Sequence, residues 1–139
     1  MQPTILIIDD NEDDVLLMKV ALEKTGRYFK TEVAPSGEAG LAFIRKAKIP
    51  PKLVLLDLKM PGMDGLEVLR EIRNDESLGR MPVVVVTHSD LKSDKQAAVE
   101  AGANSYLHKA TNLDQFRKDL EYILERWLDA KAQNGAQVK

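Results

Sequence analysis

Cysteine is absent from the sequence. That excludes a disulfide framework and any thiolate-ligated metal, and it accords with a reducing compartment. A basic excess is missing too: 20 Lys and Arg stand against 22 Asp and Glu, a net charge of −2, so the chain lacks the electrostatic footprint of a nucleic-acid binder. No apolar run nears the roughly 18 residues a membrane-crossing helix needs, and the opening MQPTILIIDD has neither the basic start nor the small-residue cleavage site of a signal peptide. The chain therefore reads as cytoplasmic, with no membrane or nucleic-acid partner. No glycine-rich turn follows the first apolar run, only DDNEDD, which argues against a dinucleotide-binding protein.

What is present is a regular alternation. Length and uniform composition predict one domain over residues 1–129, with a frayed tail at 130–139 where the apolar period is lost. Five short runs read as strands: TILIID (4–9), KTEVA (30–34), LVLLD (53–57), PVVVVT (82–87) and NSYLH (104–108). The first, third and fourth are apolar at successive positions, as in central parallel strands covered on both faces, while KTEVA is polar enough for an edge. Between them lie helical stretches with start signals. Asn11 precedes three acids, Ser36 can cap a second helix, Asp64 with Glu67 and Asn112 with Gln115 resemble capping boxes, and Asp90 or Ser93 can cap a fourth helix. The stretch KSDKQAAVEAGA can bury little, whereas Leu113, Phe116, Leu120, Ile123 or Leu124, and Trp127 recur at helical spacing. Five strand and helix alternations predict an α/β fold with a parallel sheet and helices on both faces, its ligand crevice at the carboxyl ends of the strands.

The residues closing the runs are Asp9 with Asp10, Asp57, Thr87, and Lys109 after the fifth. Converging carboxylates repel by about 4 kcal/mol per pair at 4 Å and an effective dielectric near 20. Raised pKa values, the Lys109 ammonium or a divalent cation must offset this. Oxygen ligands alone point to a hard ion, Mg²⁺ foremost, with one or two carboxylates and a phosphate oxygen in its shell.

These residues, with LLDLKMPGMDG around Asp57 and Tyr106 before Lys109, resemble the receiver domain of two-component response regulators over about residues 4–128. The resemblance implies a flavodoxin-like, doubly wound (βα)5 fold with strand order 2-1-3-4-5. It implies that Asp57 accepts a phosphoryl group from a histidine kinase or phosphotransfer protein, with Mg²⁺, or Mn²⁺ in its place. Asp10 would hold the ion directly, Asp9 through water, and Asp57 and the Lys59 backbone carbonyl would complete the protein's share. Lys109 and Thr87 would bind phosphoryl oxygens, with Thr87 and Tyr106 forming a switch that reshapes the surface of helix 4, strand 5 and helix 5. Output would be a protein contact, since no effector domain follows helix 5. The pieces NSYLHKATNL and Trp127-Leu128 further resemble stand-alone receivers paired with bacterial phytochrome kinases. That implies a homodimer through the helix 4, strand 5 and helix 5 face or the end of helix 5.

Each residue also has a plainer reading: an Asp after a strand is a common turn or cap, Tyr106 suits a half-buried strand, and Pro61-Gly62 is a turn either way. The chain departs from the family in three places. Ala110 follows Lys109 where proline is usual, so a trans bond is expected there. His88 stands where a small residue normally leaves the site open, and Lys59 and Ser89 occupy positions at which the family tunes phosphoryl lifetime. The rival classes are a receiver-fold binding module that is never phosphorylated and a Mg²⁺-dependent phosphatase. The phosphatase usually has a second acid two residues after its nucleophile, where Lys59 stands. No enzyme activity is expected.

Overall fold

The computed structural model describes residues 2–109 and 112–128; the expectations for Ala110 and for 130–139 lie outside the described residues. Five strands, β1 (Thr4–Ile8), β2 (Lys30–Ala34), β3 (Leu53–Leu56), β4 (Val83–Thr87) and β5 (Ser105–His108), alternate with five helices. The helices are α1 (Glu12–Glu23), α2 (Gly37–Lys46), α3 (Gly65–Asn74), α4 (Lys92–Glu100) and α5 (Leu113–Ile123). All strand pairs are parallel and the order is β2-β1-β3-β4-β5.

Successive apolar residues exist because each central strand feeds two cores. Ile5, Ile7, Leu53, Leu55, Val84 and Val86 pack with Val15, Met18 and Leu22 of α1 and Phe116, Leu120 and Ile123 of α5. Their neighbours Leu6, Ile8, Val54, Leu56 and Val83 face the other way, against Leu41 and Ile44 of α2 and Val68, Leu69 and Ile72 of α3. The period-two geometry of a strand converts a continuous apolar run into two opposite faces. The edge strand β2 buries only Ala34.

Local chemistry sets the helix starts. Asn11, Ser36 and Asn112 each accept a backbone N–H from the third residue on, and Asp64 and Glu67 close a reciprocal capping box; the box expected at Asn112 does not close, because the Gln115 side chain donates to Asp119 instead. Helix α4 is a correction: neither Asp90 nor Ser93 caps it, and Leu91 occupies the cap without a side-chain bond. Asp90 instead meets His108 at 2.8 Å, and the Ser89 hydroxyl donates to Asp94 in the first turn. Only Ala98 of α4 is buried, packed with Leu58 and Val85.

The last helix also differs from a simple period. After Ile123 it widens into a π-helical turn, Leu124–Leu128. Leu124 is buried, Trp127 and Leu128 pack against the α1–α5 core, and the Trp127 N–H donates to Ser105 Oγ at 3.1 Å.

Candidate functional site

Asp9 and Asp57 each lie one residue past their strand, yet their amides continue the ladder, Asp9 N–H to Ala34 O at 3.1 Å and Asp57 N–H to Ile8 O at 3.0 Å. The backbone thus delivers both carboxyl groups to one end of the sheet. The loop behind Asp57 is fixed by Gly62, which adopts a φ of +75° after Pro61, and by Gly65, where a Cβ would stand 2.3 Å from the Asp57 carbonyl oxygen. Only glycine permits that approach.

Among the described residues the buried polar or charged side chains are Asp9, Asp57, Thr87 and Lys109. All four belong to one site. Asp10, Asp57, Lys59, Thr87, His88, Ser89 and Lys109 line a single cleft of about 450 Å³ together with Asn11 and Asp14. A larger hollow of about 710 Å³ lies at the opposite, amino-terminal ends of the strands, with Glu32 its only acid among the described residues. Charge and burial therefore single out the smaller cleft, where a carboxylate oxygen from each of Asp9, Asp10 and Asp57 lies within 4.8 Å of the others.

The repulsion is offset in two of the ways anticipated. Burial, reinforced by Asp9 and Asp10, pushes the Asp57 carboxyl up to about 6, against the pull of Lys109 and the Lys59 backbone N–H. The Lys109 ammonium donates to Asp9 at 2.8 Å and Asp14 at 2.9 Å and stands 3.6 Å from Asp57. Burial alone would lower the Lys109 pKa, but its bonds to Asp9 and Asp14 and the charge of Asp57 hold it above the usual lysine value.

Asp14 is the residue that sequence reasoning missed, treated there only as one of the acids opening α1. Its place in the first turn of a helix that begins directly after the Asp9-Asp10 pair was the available signal. Burial raises its pKa, but Lys109 and His88 outweigh that and bring it below the usual carboxylate range. His88 does not point freely outward: its Nε2 meets both Asp14 oxygens at 3.1 and 3.2 Å.

A second polar chain leaves the site through Ser89. Its N–H donates to Thr87 Oγ1 at 3.3 Å, its hydroxyl to Asp94, and its carbonyl accepts the Tyr106 hydroxyl at 3.1 Å. Lys59 turns its ammonium to Asp94 at 3.3 Å. Tyr106 is thus outside the cleft lining but joined to it through one residue.

A crevice at the carboxyl ends of a 2-1-3-4-5 parallel sheet, with clustered acids, a buried lysine and a strand-end threonine, defines a receiver-like site. The response regulator receiver domain family matches residues 5–121, and the chain belongs to that family, the receivers of two-component systems. It is 36% identical over 128 residues, 89% of this chain and 83% of the relative, to the probable methanogenesis regulatory protein FilR2 of Methanothrix harundinacea. It is 35% identical over 130 residues, 90% of this chain and 88% of the relative, to the response regulator Rcp1 of Synechocystis. Among solved structures it superposes on the phosphorylated cyanobacterial phytochrome response regulator RcpA with a TM-score of 0.84 at 32% identity, covering 94% of this chain and 96% of that one. The Mn²⁺-bound form of Rcp1 gives a TM-score of 0.79 at 34% identity, covering 91% and 94%.

Proposed function

We propose that this receiver is a Mg²⁺-dependent aspartyl phosphoacceptor served by a histidine kinase of phytochrome type, its receiver unit spanning residues 1–129. The observation that carries this reading is the convergence of Asp10, Asp57, Thr87 and Lys109 on one small cleft, with the buried Asp9 carboxylate within 4.8 Å of Asp10 and Asp57.

The donor set fits a hard divalent cation: three carboxylate oxygens within 4.8 Å of one another, with neither Cys nor His among them. Asp9, Asp10 and Asp57 with the Lys59 carbonyl would hold Mg²⁺ or Mn²⁺. Bound there, the ion supplies neutralisation of charge between the acids and a phosphoryl group. An Asp57 carboxylate oxygen forms the new O–P bond as the N–P bond of the donor's phosphohistidine breaks, and the departing imidazole takes a proton from solvent. Phosphoryl transfer of this kind needs positioning and electrostatic stabilisation more than covalent help. The Lys109 ammonium and the Thr87 hydroxyl supply donors for two phosphoryl oxygens. Drawing Thr87 toward the phosphoryl group loosens its bond to the Ser89 amide, and the Ser89 carbonyl in turn holds Tyr106. That couples the site to α4 and β5, whose α4 is thinly packed and thus movable at small cost. Lys59, His88 and Ser89 on the cleft lining are placed to tune access and lifetime.

Relatives described as phytochrome response regulators support the choice of kinase. Output is a protein contact. The exposed apolar residues Val99 of α4 and Tyr122 of α5 favour the α4–β5–α5 side for self-association. The end of helix 5 is less suited, because Trp127 packs against its own core. Among the described residues no helix is long and apolar enough to cross a membrane.

The reading is tested by transfer from a phosphorylated phytochrome-type histidine kinase, followed by intact mass with Mg²⁺ and with EDTA. Gain of one phosphoryl group with Mg²⁺ alone is expected. Equal transfer in EDTA would remove the metal from the account, and equal transfer from unrelated kinases would remove the phytochrome partner.

A further inference from the structure

An ammonium carries three N–H donors and no acceptor. Lys109 gives one to Asp9 Oδ2 at 2.8 Å and one to Asp14 Oδ2 at 2.9 Å, and its nitrogen stands 3.6 Å from Asp57 Oδ1. Two short bonds to different elements, the end of β1 and the first turn of α1, fix the nitrogen and leave the third donor without a close partner on the Asp57 side.

Asp14 is itself held. The Asn11 side chain accepts its backbone N–H at 2.9 Å, and His88, next in sequence to Thr87, engages both of its carboxylate oxygens. The Lys109 side chain is only 3% exposed, although a lysine stem is flexible. Without Asp14 the ammonium keeps one short bond, to Asp9, and the stem can turn away from Asp57.

We propose that Asp14 is a positioning residue for phosphoryl acceptance, fixing the Lys109 ammonium beside Asp57 where an oxygen of the incoming phosphoryl group meets it. This rests on Asp57 as the phosphoacceptor. The separation of 3.6 Å is too long for a good hydrogen bond to the bare carboxylate. It leaves room for a phosphoryl oxygen, which is carried two bonds further out, on the phosphorus that Asp57 would bear. Displacing such a donor by about 1 Å costs on the order of a hundredfold in rate, so a loosened but still present lysine is expected to cost less, about tenfold.

The plainer role for Asp14 is one more negative charge around the acids. The two roles separate in a rate measurement with acetyl phosphate as donor over a range of Mg²⁺ concentrations, comparing wild type, Asp14→Ala and Asp14→Asn. Asparagine keeps an acceptor oxygen for Lys109 and an amide for His88 but drops the charge. Positioning predicts that Asp14→Ala is about tenfold slower at saturating Mg²⁺, with the half-maximal Mg²⁺ concentration moved less than threefold. Asp14→Asn then recovers to within about threefold of wild type, which also guards against a folding defect in the alanine variant. Equal slowing in both variants, a shift in Mg²⁺ dependence alone, or an alanine variant at the wild-type rate overturns the role of Asp14. A wild type that takes up no phosphoryl group overturns the Asp57 reading and this proposal with it.

Discussion

Replacing Asp57 by asparagine removes a carboxyl group that the fold holds under strain. Its pKa stands at about 6 in the folded protein against 3.8 for an ordinary aspartate, burial being the main cause. A raised acid pKa means that between about pH 4 and pH 6 the folded state binds more protons than the unfolded state, so stability falls as pH rises through that window. The shift of about 2 units corresponds to about 3 kcal/mol by the time the group is fully ionised. Relaxation and solvent entry reduce this, so we expect Asp57→Asn to be about 1–3 kcal/mol more stable than wild type at pH 8 in EDTA. The difference should shrink toward zero near pH 4. With a urea slope of about 2 kcal/mol per molar, 2 kcal/mol moves the midpoint by about 1 M, readily read from circular dichroism at the two pH values. A variant less stable than wild type at pH 8, or a difference that does not change with pH, would refute the claim that Asp57 is a charge held against its preference.

The other predictions test the site's surroundings. Asp10→Ala should weaken Mg²⁺ binding at least tenfold, seen as loss of Mg²⁺-dependent stabilisation in thermal melts; an unchanged dependence would move the metal elsewhere. Gly65→Ala drives a Cβ into the Asp57 carbonyl and should cost about 1–3 kcal/mol, with slower phosphorylation because the loop carrying Asp57 must shift; a neutral variant would contradict the packing described. Arg73 bonds the carbonyls of Gly79, Met81 and Gly102 and the side chain of Asn104, tying α3 to the turn before β5. Arg73→Ala should lose about 1–3 kcal/mol in chemical denaturation, since three part-buried carbonyls lose their donor; a loss under about 0.5 kcal/mol would show that water replaces it.

Much of this could be read before any coordinates. The runs at β1, β3 and β4 announced themselves because a doubly covered strand must be apolar at every position, and the caps at Asn11, Ser36, Asp64 and Asn112 are local events that residue type nearly determines. Strand order came from family resemblance, because the apolar pattern is the same whichever neighbour a strand takes. The start of α4 was misread for a physical reason: Ser89, upstream of the expected caps, binds Asp94 instead, a contact no capping rule contains. The π-helical turn seats Trp127 against Ser105, 22 residues away, a contact no local pattern records. Asp14 escaped for a like reason: an acid in a first turn suits the helix dipole by itself, and its meeting with Lys109 spans 95 residues.

The central claim, that Asp57 accepts the phosphoryl group, is tested most directly by phosphorylating wild type and Asp57→Asn side by side from a phosphorylated histidine kinase with Mg²⁺ and weighing the intact proteins. One added phosphoryl group is expected on wild type and none on the variant. Uptake at the wild-type rate by Asp57→Asn would place the acceptor elsewhere, and no uptake by wild type from several kinases would mark a receiver fold that works by binding alone.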